Sequence, residues 1–119
     1  MKKEIKEQVR KSVTKYIRIL IDKKYQERIW AKFEGPEVDS YADFICDFYP
    51  LLEEIVDNSK KFSLSEKEEF LLKNLYEKLD AYDDKAPEND DARIVYDPKW
   101  DEIRVFAKVV LEALEENKP

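Results

Sequence analysis

Apolar and polar positions separate most completely between Asp39 and Asn58, DSYADFICDFYPLLEEIVDN. At a helical period Tyr41, Ala42, Phe44, Ile45, Phe48, Tyr49, Leu51, Leu52, Ile55 and Val56 fill one half of the wheel. Asp39, Asp43, Asp47, Glu53, Glu54 and Asp57 fill the other. The phase continues across Pro50, which falls on the polar side, so the pattern predicts one helix bent at that proline. Gly35-Pro36 punctuates the chain beforehand, Gly35 suiting a left-handed helix terminus and Pro36 preventing continuation. Asp39 or Ser40 can cap the new helix, because a side-chain oxygen there accepts from a free backbone N–H.

The same period places further helices on either side. Ile5, Val9, Val13, Tyr16, Ile17 and Leu20 predict a first helix from about Lys2 to Asp22, with Lys11, Lys15 and Arg18 on its outer side. Tyr25, Ile29, Trp30 and Phe33 keep helical spacing but lose phase with that stripe, which calls for a turn or bend near Asp22 to Lys24. Ser63 with Glu66, and Ser65 with Glu68, fit the reciprocal capping box ahead of an apolar face formed by Leu64, Leu71, Leu72, Leu75, Tyr76, Leu79 and Tyr82. Phe70 lies off that face. Asp97-Pro98 starts the last helix, aspartate as cap and proline at the first helical position. Trp100, Ile103, Phe106, Ala107, Val110, Leu111 and Leu114 then point inward, and Val105 and Val109 outward. Residues 83–93, DDKAPENDDAR, have no apolar period and read as an acidic surface loop, followed by Ile94-Val95-Tyr96 as a short extended segment at most. The expected fold is therefore all-α, one domain over residues 1–119. It is a bundle of four to five helices, the proline-bent helix lying between the first helix and the two C-terminal ones.

Composition supports this reading and adds electrostatics. The chain has 119 residues, enough for one core, and a single glycine, which argues against sheets whose hairpins need positive φ. A net charge of −6 is unevenly spread. Residues 1–33 carry 11 Lys/Arg against 4 acids, 34–59 carry 8 acids and no base, and 60–119 carry 11 bases against 16 acids. An acidic chain with its positive charge mainly on one helix lacks the basic face that nucleic acid requires, and favours a basic protein partner. Cys46 is the only cysteine, so no internal disulfide can form and a reducing, cytoplasmic setting is expected. No apolar run reaches membrane-spanning length.

Histidine is absent, which removes the usual general base, His-activated nucleophiles and imidazole metal ligands. One glycine cannot build phosphate-cradling loops, and the acidic loop lacks the turn glycine of a calcium-binding EF-hand. Carboxylate chemistry remains. Glu53-Glu54-x-x-Asp57 followed by Glu77-x-x-Asp80 resembles the EExxE…ExxD signature of the all-α nucleotide pyrophosphohydrolases, and the resemblance implies magnesium held by these five acids. Asp57 departs from the signature, standing where it has glutamate.

The leading reading is recognition. Asp39, Asp43, Asp47 and Glu54 climb one helix face with no lysine or arginine interleaved, and Tyr41 at the face boundary offers an aromatic anchor. Such a stripe is either an interface for a basic partner or the wet side of a buried helix. The run Asp97-Pro98-x-Trp100-Asp101-x-Ile103-Arg104-x-x-Ala107, after an acidic helical chain of this length, resembles the small all-α immunity proteins of bacteria. That resemblance implies a cytoplasmic, non-enzymatic inhibitor, needing no cofactor, that binds a toxin domain, often a basic nuclease.

Overall fold

Four long helices close a ring in the computed structural model, which describes residues 2–36, 38–87 and 90–116. They are α1 (Lys3–Ile21), α3 (Tyr41–Asp57), α4 (Glu66–Asp83) and α6 (Pro98–Glu116). Two short helices, α2 (Lys23–Gln26) and α5 (Asp91–Val95), and one π-helical turn (Glu27–Ala31) fill the connections. No strand occurs among the described residues. Around the ring α1 packs on α3, α3 on α4, α4 on α6, and α6 on α1. Cross-contacts such as Tyr41 with Asp83 and Tyr49 with Asp80 run α3 antiparallel to α4. Lys67 with Glu116 and Tyr82 with Asp97 run α4 antiparallel to α6.

The expected inward faces form one buried cluster that includes Val13, Ile17, Leu20, Phe44, Phe48, Leu52, Leu75, Leu79, Trp100 and Val110. Val105 and Val109 are exposed, as is Phe70. The capping box is realised at Ser65 and Glu68, and Glu68 carries a second duty. One of its oxygens takes the Ser65 N–H at 2.9 Å, and the other takes Arg10 of α1 at 2.8 Å. The acid is almost wholly buried, so this helix cap also binds α1 to α4.

Several expectations need correction. Among the described residues six α-helices stand where four to five were expected. The chain breaks at Asp22 (ψ 85), within the expected turn, and Asp22 caps a short α2, while residues 91–95 form a helical turn where the end of the acidic loop and a short extended segment at 94–96 were expected. Asp90 explains the second case, its side chain capping the Arg93 N–H at 3.2 Å. The acidic loop consequently shortens, with α4 running to Asp83 and α5 starting at Asp91; Glu88 and Asn89 lie outside the described residues. Gly35 takes positive φ (117), but the left-handed helix terminus expected there arrives two residues earlier. Phe33 adopts φ 57 as Glu34 donates back to the Arg28 carbonyl at 2.8 Å. That conformation is costly for a bulky residue, and it leaves the Phe33 ring 80% exposed. Through Pro50 the central helix is continuous.

Gln26 is the junction that sequence periodicity did not single out. Fully buried, it donates from Nε2 to the carbonyls of Ile19 and Leu20, both at 2.8 Å, closing the end of α1. Its Oε1 accepts from Trp100 Nε1 at 3.0 Å and from Arg104 Nε and Nη2 at 3.2 and 2.7 Å. Arg104 also donates to the Val95 carbonyl at 2.8 Å and to Asp101 at 3.0 Å. Burial pulls the guanidinium below its ordinary value while Asp101 opposes.

Replacing Gln26→Leu would leave the Trp100 N–H and part of a buried guanidinium unpartnered, at an expected cost of about 3–5 kcal/mol in urea unfolding. Adding Arg104→Met to that variant should recover part of the loss. A single-variant cost below about 1 kcal/mol would show that the junction contributes little.

Candidate functional site

The five residues expected to meet a partner divide into two groups. Ser40 is the cap of α3, its hydroxyl taking the Asp43 N–H at 3.1 Å, so Asp39 precedes the helix. Asp39 is half-buried, and its Oδ2 accepts from the Tyr25 hydroxyl and from Trp30 Nε1, each at 3.0 Å. It ties the π-helical turn to the start of α3 and does not belong to an open stripe. Tyr41 is buried between Trp30, Trp100 and Tyr82, with ring centroids 6.2, 5.4 and 6.4 Å away. Its hydroxyl donates to Asp83 at 2.7 Å, and its backbone N–H to Asp91 at 3.1 Å. Burial first, and then the bond to Asp83, hold that hydroxyl far above the ordinary tyrosine value. Tyr41 is therefore a core residue, 7% exposed, where a residue at the boundary of the face was expected.

Asp43, Asp47 and Glu54 remain, all exposed on one face of α3. Among the described residues no lysine or arginine forms an ion pair with any of them. Of the basic side chains of α1, Arg10 pairs with Glu68 at 2.8 Å and Arg18 with Glu115 at 2.9 Å, and Lys6 reaches the Ser63 hydroxyl at 3.3 Å. The field of the unneutralised acids registers on their neighbours. Tyr16, whose ring stacks on Phe48 at 5.7 Å, has its hydroxyl raised by burial and further by Asp47 and Asp39.

The five acids of the pyrophosphohydrolase-like pattern are not brought together. The Tyr76 hydroxyl lies 3.1 Å from a Glu53 oxygen and 2.9 Å from the Tyr49 hydroxyl, which in turn lies 2.8 Å from Asp80 Oδ1, so the two hydroxyl protons are shared along a chain of three short contacts. A pair of tyrosines, ring centroids 4.8 Å apart, thus stands between the two carboxylates. The hydroxyl of Tyr49 is raised, chiefly by its bond to Tyr76 and then by Asp80. Glu54, Asp57 and Glu77 are exposed and take no part in this ladder. No three Cys, Asp or Glu side chains among the described residues converge as metal ligands would.

A cavity of about 510 Å³ opens beside the start of α3. Trp30 and Tyr41 close its base, Phe33 stands on its lining, and Asp83, Asp90 and Asp91 supply its charge. In the sequence these acids fall in a stretch without apolar period, expected as a loop. Asp90 followed three positions later by Arg93, then Ile94-Val95, was the legible sign of a capped helix turn that gathers them. Asp91 is raised by burial first and then by Asp43, Asp90 and Asp39, against the lowering effect of the Tyr41 N–H. The acids of the cavity and of the α3 face therefore share one negative pole.

No family model matches the chain, and comparison with curated proteins and with solved structures likewise returns no match.

A carboxyl with a raised folded-state pKa favours the protonated form, so ionised Asp91 opposes folding at neutral pH, and the opposition disappears as pH falls through that raised value. Asp91→Asn keeps an acceptor for the Tyr41 N–H. The variant is expected to be at least as stable as the parent at about pH 7, with the difference shrinking as the solution is acidified, in urea unfolding. A difference that grows on acidification would contradict the assignment.

Proposed function

We propose that the protein is a non-enzymatic binding protein, an inhibitor of the immunity type that meets a basic protein surface, such as a toxin nuclease domain, through the outer face of α3. The observation that carries this reading is the set Asp43, Asp47 and Glu54, exposed and without an ion-pair partner among the described residues. Like charges at i and i+4 cost an isolated helix about 0.2–0.5 kcal/mol, so Asp43 above Asp47 is tolerated at the expense of stability. A basic partner removes that repulsion and is steered toward it by the same field. Placing the activity in the cytoplasm agrees with a lone exposed thiol at Cys46, which suits a reducing compartment. The reading asks for no cofactor and no nucleic acid. Asp39 and Tyr41 leave the contact set and become its support.

The test begins with parallel captures from the native host on the parent protein and on an Asp43→Asn/Asp47→Asn/Glu54→Gln bait. A basic protein retained only by the parent is then purified for kinetics. Asp43→Lys/Asp47→Lys should slow its association by about tenfold at low ionic strength and flatten the salt dependence, while unfolding stability stays within about 0.5 kcal/mol. An association rate that does not change on charge reversal would overturn the proposal.

A further inference from the structure

The cavity beside α3 has a chemistry that narrows the partner further. Each of its three acids commits one carboxylate oxygen within the chain. Asp83 Oδ1 takes the Tyr41 hydroxyl, Asp91 Oδ2 takes the Tyr41 N–H, and Asp90 Oδ1 takes the Arg93 N–H. Among the hydrogen bonds of the described residues, the second oxygen of each has no donor. Among the described residues, the lining contains no lysine or arginine. The base, formed by buried Trp30 and Tyr41, excludes water from one side and so strengthens any charge interaction made there. Phe33 adds an exposed aromatic face on the lining.

The size and spread of these groups select among cations. A volume of about 510 Å³ suits a side chain or small organic group, and the described carboxylates do not converge as metal ligands do. Several separate acceptors call for a planar cation with several donors in a fork, and an exposed ring calls for one that stacks. A lysine ammonium offers a compact charge and meets neither demand. From the cavity's shape, free oxygens and aromatic lining, we infer that it receives an arginine side chain of the basic partner. This inference rests on the reading of a basic partner and specifies one residue of it.

Three substitutions probe the cavity while preserving its internal hydrogen bonds. Asp83→Asn and Asp91→Asn keep their acceptors, and Asp90→Asn keeps a competent cap. The probes are acetyl-Gly-Arg-Gly-amide, its lysine counterpart and its uncharged citrulline counterpart, each titrated into isotope-labelled full-length protein by NMR. The arginine peptide should move the Trp30 indole N–H and the Ala92 amide in a saturable way, the lysine peptide several-fold more weakly, and the citrulline peptide not at all. The triple Asn variant should bind at least tenfold more weakly, and Phe33→Ala several-fold more weakly. Equal shifts from arginine and citrulline, or no shift at these positions, would overturn the inference. Shifts confined to Asp43, Asp47 and Glu54 would overturn it while leaving the basic partner intact. The separate association kinetics with the purified partner decide that broader reading independently.

Discussion

A single amide oxygen inside the core, that of Gln26, sets the geometry on which the rest of the molecule depends. It takes Trp100 and Arg104 of α6, and the other half of the amide finishes α1 on the Ile19 and Leu20 carbonyls. A polar group buried this completely is stabilising only when every donor and acceptor is met, and here each is. Because the partners lie on elements far apart in sequence, the requirement fixes the angle at which the chain turns out of α1. It also fixes the height at which α6 enters the bundle.

From that junction the aromatic residues carry order toward the surface. Trp100 lies 6.3 Å from Trp30, 5.4 Å from Tyr41 and 5.1 Å from Tyr82, centroid to centroid. Each of these rings ends in a polar atom held by an aspartate, Trp30 by Asp39, Tyr41 by Asp83 and Tyr82 by Asp97. Aromatic residues with a polar tip are suited to such a boundary, the ring dry and the heteroatom bonded. The result is a ring of carboxylates at one end of the bundle whose inner oxygens serve the fold. On the adjoining face of α3, the side chains of Asp43, Asp47 and Glu54 make no hydrogen bond or ion pair among the described residues. Bonded and unbonded carboxylates thus lie side by side, divided by burial.

What the sequence disclosed and what it concealed follow from range. Helix faces are local, so the buried sets of α1, α3, α4 and α6 were legible from spacing, as were the Ser65–Glu68 box and the Asp97-Pro98 start. Gln26 was not legible, because its role is defined by Trp100 and Arg104, which only the folded chain brings near. The same applies to Asp39 and Tyr41. On the wheel they belong to an acidic face and its aromatic edge, but α2 and the π-helical turn place Tyr25 and Trp30 against Asp39, and the bundle closes over Tyr41. A π-helical turn leaves no simple period, and Phe33 in a left-handed conformation runs against its own preference, so neither was expected from the pattern. The Asp83–Asp90–Asp91 cavity escaped because acids in a loop give no phase from which to read their direction.

The central claim is that the outer face of α3 carries negative charge the chain does not neutralise itself. It is tested most directly by comparing amide relaxation caused by cationic and anionic nitroxide probes in dilute salt. The account predicts that amides of residues 43, 47 and 54 and of 90–92 relax faster with the cationic probe than with the anionic one, by the largest ratio on the molecule. Equal relaxation by the two probes along α3 would mean that the protein's own lysines and arginines already cover those acids, and would contradict it.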